Sequence, residues 1–325
     1  DNASYPTVGF DGRNPTNPAP VAINGSYAHK HKHRHRHRRE HDLPHRKRAA
    51  VRDVQADHKI VARAIARDGI VLLKNEGKTL PLAKPESIAI IGEDAAVNPD
   101  GANACPDRGC TKGHLAMGWG SGTAEFPYLI DPLSAISERA KQGNGTKIIS
   151  SPTNDPEAGL AAAKAAATAI IFVNANSGEG YLTVEGNAGD RNDLDPWHRG
   201  NELVAAVSKA QVPTIVVVHS VGPIILESIL AQPNIKAVVW AGLPGQESGN
   251  ALVDVLYGEY NPSGKLPFTI AKKAGDYNAP ISKDKSDDFT DGLYIDYRHF
   301  DQEDLQVRYE FGFGMCKFAR NVARE

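Results

Sequence analysis

The sequence predicts an α/β fold, a mostly parallel sheet covered by helices on both faces, and two observations carry that expectation. Apolar runs of strand length recur at SIAIIGED (87–94), TKIISSP (146–152), TAIIFVN (168–174), TIVVVHS (214–220), IKAVVWA (235–241) and KLPFTIA (265–271). Among them lie EAGLAAAKAAA, NELVAAVSKA and SGNALVDVLYG, each of helix-forming composition. Strands apolar on both faces have to be buried on both, and intervening helices supply the cover.

The folded part is expected to begin near Val51. There VQADHKIVARAIARDGIVLLKN places Ile60, Val61, Ala64 and Ile65 at helical spacing before a short apolar run. Residues 1–28, rich in Pro, Gly and Asn without period, read as an extended linker. Residues 29–48, HKHKHRHRHRREHDLPHRKR, hold most of the histidines. With almost no apolar residue, this tract reads as a disordered, solvated insertion. In extended form its alternation separates His from Lys and Arg, so an edge binding metal or polyanions stays open as an alternative. The formal net charge of −2 therefore hides a distinctly acidic remainder. The expected organisation is a linker and tract over 1–50, an α/β domain over 51–314 and a divergent tail over 315–325.

A chain of 325 residues with 41% hydrophobic composition can bury a large core. No apolar run approaches the roughly 20 residues of a membrane span, so no membrane partner is expected. Cys105 and Cys110 sit in NACPDRGC, whose short, turn-rich separation permits a disulfide, with Cys316 left over. Acceptor sequons at Asn2, Asn24 and Asn144 fit a secreted, extracellular protein.

Ligand sites in such sheets form beyond the carboxyl ends of the strands. Glu93, Asp94, Glu179 and His219 all fall there, and Glu179 stands between two glycines in SGEGY. A loop glutamate is ordinarily a solvated one. Glu185 competes with it, while Asp190, Arg191, Asp193 and Asp195 are expected to tie the loop down through turns and hydrogen bonds. His219, beside Ser220, is expected to be a satisfied group behind the site. No G-x-S-x-G elbow surrounds Ser220 or Ser121, which removes a serine hydrolase. GWGSGTAEF (118–126) has G-x-G-x-G and lacks the dinucleotide fingerprint, so Gly118 to Gly122 read as a loop of close backbone approach. Tyr294, Tyr297, Arg298 and His299 in GLYIDYRHFD are expected to hold the closing segment against the sheet or against a domain outside this chain. No metal, no organic cofactor and no nucleic acid partner is expected.

From about Asp57 to Gly314 the chain resembles the second domain of fungal family-three glycoside hydrolases, the β-glucosidases. The resemblance rests on GIVLLKNEGKTLPL, IAIIGEDA, ANACPDRGC, MGWGSGTAEFPYLIDPL, SGEGYLTVEGNAGDRNDLDPW, TIVVVHSVGP, VVWAGLPGQESGNALVDVLYGEYNPSGKLPFTI and GLYIDYRHFD followed by RYEFGFG. It implies a six-stranded α/β sandwich and hydrolysis of terminal, non-reducing β-D-glucosyl residues, with β-glucosides or cello-oligosaccharides as substrates. It makes Glu179 the acid/base and Tyr181 an aromatic lining the leaving-group subsite. Glycines at 178 and 180 would let that carboxylate approach a sugar.

In this family a preceding (β/α)8 barrel, normally in cis, supplies the nucleophilic aspartate from a Ser-Asp-Trp type motif. The tryptophans here follow Gly118, Pro196 and Val239. No nucleophile is therefore expected in this chain, and little or no glycosidase activity from it alone. Beyond RYEFGFG, MCKFARNVARE departs from the family's continuation and suggests a truncated or altered product. The alternative is a non-catalytic carbohydrate-binding or scaffold module.

Overall fold

The computed structural model describes residues 55–315, apart from 106–108, 111, 121, 143–144, 181 and 282–287. The readings of the linker, the basic tract, Asn2, Asn24, Asn144, Tyr181, Cys316 and the tail lie outside the described residues.

Helix α1 (His58–Asp68) leads into strand β1 (Val71–Asn75), followed by β2 (Ser87–Ile91), α2 (Pro132–Gln142), β3 (Lys147–Ser151), α3 (Pro156–Lys164) and β4 (Thr168–Ala175). A small hairpin, β5 (Thr183–Val184) with β6 (Asn187–Ala188), precedes α4 (Gly200–Val207), β7 (Thr214–Ser220), α5 (Glu227–Leu230), β8 (Ile235–Trp240), α6 (Ser248–Leu256) and α7 (Tyr297–Gln302). The six long strands form one sheet in the order β1-β8-β7-β4-β2-β3. Every neighbouring pair is parallel except β1 with β8. The fold is thus an α/β sandwich on a mostly parallel six-stranded sheet.

Alternate residues of each strand feed two separate cores, as the pleat requires. On one face Ile171, Val173, Val216 and Val218 pack with Leu203, Val204 and Val207 of α4 and Ala162 and Ala163 of α3. On the other, Ile170, Phe172, Ile215 and Val217 pack with Ile136 of α2 and Leu252 and Leu256 of α6. All seven residues of β7 are buried, which is why that segment carries no polar alternation. Helix α3 starts where Asp155 caps the Glu157 amide at 2.9 Å, with Pro156 at the first helical position.

Two expectations are corrected. KLPFTIA is not a strand of the sheet; the sixth strand is β1, from the apolar run after α1. Pro267 lacks an amide to donate, and the segment instead pairs with residues 308–313: Leu266 N donates to Phe313 O at 2.9 Å and Ile270 N to Tyr309 O at 2.8 Å. The apolar spacing of α1 also does not mark its packed side. Ile60, Val61 and Ile65 are exposed, and the helix is held instead by Arg63, which grips Asp254 of α6 with two nitrogens, and by Arg67 over the Tyr260 ring at 3.9 Å.

Candidate active site

The carboxyl ends of β2, β4 and β7 lie side by side, because β4 pairs with both of the others. The β4–β7 register sets Asn174 opposite His219 and Ala175 opposite Ser220. Beyond this edge stand two assemblies of opposite character.

The first is buried. Asp94, in the short turn after β2, is 1% exposed. Its carboxylate accepts from His219 Nδ1 at 2.6 Å and from the Leu115 amide at 2.7 Å. His114 Nδ1 lies 2.9 Å from the Asp94 carbonyl, which can only accept, so that nitrogen carries the proton. Its Nε2 then accepts from Ser248 Oγ at 2.8 Å. The two imidazoles meet edge to face, with centroids 4.6 Å apart. Burial alone would raise the Asp94 carboxyl, but the His219 side chain and the hydrogen bonds from His114 and His219 outweigh it and hold it at about 2. Burial lowers His219. His219 is therefore a packed partner of Asp94 through Nδ1, while its buried Nε2 makes no hydrogen bond among the described residues, so the expectation of a satisfied group holds for one ring nitrogen.

Asp94, His114 and His219 bring ligand-type atoms within 4.8 Å of one another. The 2.6 Å contact between Asp94 and His219 leaves those two atoms closer than tetrahedral coordination at about 2.0–2.2 Å holds its ligands. The arrangement is that of a hydrogen-bond relay.

The second assembly is the loop between β4 and α4, and it is largely exposed. Glu179 lies on its open side and forms a bridge with Leu182, whose amide donates to the Glu179 carbonyl at 2.6 Å. The Gly189 amide donates to Leu182 O at 2.8 Å, so the chain folds back as a tight double turn. Gly178 sits inside that turn. A Cβ there would meet Leu182 O at 2.6 Å and Gly189 O at 2.8 Å, so the position requires glycine for backbone closure. Gly180 has φ +28° with open space around it. The glycines thus shape the turn itself, beyond the clearance for a sugar that the sequence suggested.

Three anchors hold the loop. Arg191 donates through its guanidinium to Pro223 O at 2.6 Å and through its amide to Ser177 Oγ at 3.0 Å. Asn192 and Asn187 bind one another and the carbonyls of Ala188, Gly189 and Asp190, while Asp193 caps the Asp195 amide at 3.0 Å. At the far end His198 stands between Glu185 at 2.7 Å and Glu93 at 3.0 Å. An open depression beside these groups is lined by Glu185, Asp193, Asp195, Trp197 and His198.

Other predicted residues are placed as follows. Cys105 and Cys110 form the disulfide, with Cα atoms 5.4 Å apart. Gly118 makes the close approach its loop suggested: a Cβ would lie 2.8 Å from Asn176 Oδ1 at the end of β4. Tyr294 and Tyr297 are exposed, with Tyr297 beside the Phe311 ring at 5.0 Å, and the residue packed inward is Phe300, so of the two expected supports the sheet is not the one these tyrosines meet. His299 joins the Asp276 carbonyl at 3.0 Å. His114 and His198 carried no local motif and escaped the sequence reading.

Fold and site define an α/β sandwich that presents a glutamate-bearing loop at the carboxyl edge of a parallel sheet. The model of the glycosyl hydrolase family 3 C-terminal domain matches residues 70–316. The chain belongs to that family, as its C-terminal domain. It is 69% identical over 263 residues to probable beta-glucosidase L of Neosartorya fischeri, covering 81% of this chain and 36% of that protein. Beta-glucosidase cel3A of Pyricularia oryzae is 55% identical, again with 81% and 36% coverage. Among solved structures, β-glucosidase D2-BGL from Chaetomella raphigera superimposes with a TM-score of 0.79 at 61% identity, covering 81% of this chain and 37% of that one. The chain spans a little over a third of the length of these relatives.

Proposed function

We propose that this domain takes part in retaining hydrolysis of terminal, non-reducing β-D-glucosyl residues, with Glu179 as the acid/base. The observation that carries the reading is Glu179 itself, held open to solvent on a turn whose glycine closes it, in a chain of family 3. Retaining glycosidases set two carboxyl groups about 5–5.5 Å apart, one attacking the anomeric carbon while the other protonates the leaving oxygen and later deprotonates water. Glu179 takes the second role, and the nucleophile comes from a barrel that faces this loop. Substrates are β-glucosides or cello-oligosaccharides, with Tyr181 against the leaving group. The Cys105–Cys110 disulfide supports an oxidising, extracellular setting.

The test is hydrolysis of an aryl β-glucoside by this domain joined to a family 3 barrel. Glu179→Gln should lower kcat by about 10²–10⁴, the range for a general acid/base, and by most when the leaving group is poor. An unchanged rate on poor leaving groups would remove Glu179 from the mechanism. A second reading, a non-catalytic carbohydrate-binding or scaffold module, draws on the exposed Tyr294, Tyr297 and Phe311. It requires saturable binding of glucose or cellobiose that is indifferent to Glu179→Gln.

A further inference from the structure

His198 touches two carboxylates at once, one from each side. Its Nε2 meets Glu185 at the turn between β5 and β6, and its Nδ1 meets Glu93 just after β2. Carboxylates on both nitrogens select the doubly protonated imidazolium, since each needs an N–H. All three side chains are about one quarter exposed, and Glu93 Oε1 makes no hydrogen bond, so that arm is an ionic contact.

The backbone here is held in unfavourable conformations. His198 and Arg199 follow one another at φ 53° and 62°, and Glu185 has φ 48°. Non-glycine residues adopt such angles where the surroundings impose them, commonly at functional sites. Here Asn154 Nδ2 donates to His198 O at 3.0 Å, and Asn154 Oδ1 accepts from the Glu93 amide at 3.0 Å. One side chain therefore fastens both ends of the contact.

We propose that His198 is a positioning residue for Glu179, clipping the hairpin that closes the acid-bearing turn to the carboxyl end of β2. This rests on the reading of Glu179 as proton donor. Glu185 lies two residues beyond β5's first residue and one turn from Leu182, so movement of the hairpin tip is passed to the Glu179 carbonyl through the Leu182 amide. The charged groups around the imidazole are Glu185, Glu93 and, further off, Asp94, while Arg199 is turned to Glu202. The Glu185 hydrogen bond, opposed by burial and aided by Glu93, raises His198 above 6.5. The clip is therefore complete below 6.5 and is lost as pH rises through the raised value. Burial raises Glu93 from 4.5, so the Glu93 arm is in turn weakened by protonation as acid approaches that raised value, already above 4.5.

Hydrogen exchange at the Leu182 and Gly189 amides tests the clip without relying on turnover. With intrinsic rates divided out, protection should fall by about tenfold, the equivalent of one pKa unit of interaction, between about pH 6 and pH 9. In His198→Gln protection should be low and flat across that range. Glu185→Gln, a milder change at the surface, should lose most of the slope, and β4 amides should stay protected in every variant. Wild-type protection that is flat with pH, or a wild-type slope in either variant, overturns the proposal. A Glu179→Gln enzyme with full activity instead removes the proton-donor reading while leaving the exchange result standing.

Discussion

The relay around Asp94 and the loop around Glu179 leave the same edge of the same sheet, yet they are built in opposite ways. Asp94, His114 and His219 have essentially no exposed side chain, and their hydrogen bonds run to groups 20 to 134 residues away. The Glu179 loop is exposed, is closed mostly by its own backbone, and reaches the sheet through Arg191 and His198. The relay fixes where the strands end; the loop presents a carboxylate beyond them. Burial suits the first because an unpaired charge there is costly. It would defeat the second if, as proposed above, that carboxylate meets a substrate.

The pH behaviour of the two regions runs in opposite directions. Asp94 is held below its ordinary 3.8, and its contribution is present above 3.8 and lost as pH falls towards about 2. His219, lowered by burial, adds to the loss below 6.5, because the unfolded chain takes up its proton more readily. His198 is raised, so its contribution disappears as pH rises.

The sharpest way to break this contrast is Asp94→Asn. It removes the charged acceptor that His219 Nδ1 and the Leu115 amide face, and losing two hydrogen bonds to a charged group is expected to cost about 3 kcal/mol in urea unfolding. Acid should act more gently on the same group. Unfolding followed from about pH 5 downward should lose about 2 kcal/mol attributable to Asp94, and Asp94→Asn should flatten that limb. Gly178→Ala strikes the loop alone. Its Cβ meets two carbonyl oxygens within 2.8 Å, so the turn has to open, at about 1–2 kcal/mol measured by thermal unfolding. Leu182 protection should fall with it while the relay is untouched. If Gly178→Ala loosened β7 amides as much as loop amides, the two regions would be one cooperative unit and the contrast would fail.

The parts legible in the sequence are those with local periodicity. Strands β2, β3, β4, β7 and β8 and helices α3, α4 and α6 follow from apolar runs and helical composition. Glu179 was legible through its glycines and its position after β4. Sheet membership was not: β1 and KLPFTIA are both short apolar runs, and only pairing with β8 or with residues 308–313 tells them apart. The outward stripe of α1 misled because two arginines, rather than its aliphatic residues, hold the helix. His114 and His198 were invisible because their partners lie far off in sequence: Ser248 is 134 residues from His114, and Glu93 belongs to a different strand end from His198.

The loop's attachment also sets the terms on which it could be moved. Residues 177–199 form a cassette met from outside by Ser220 and Pro223 for Arg191, Glu93 and Asn154 for His198, Asn174 for the Trp197 amide, Ile225 for the Leu194 carbonyl and Asn201 for Asp195. A graft onto another parallel sheet that kept only the loop would carry the carboxylate without its bearings. One that also transplanted those receptor residues would carry the carboxylate in its present orientation.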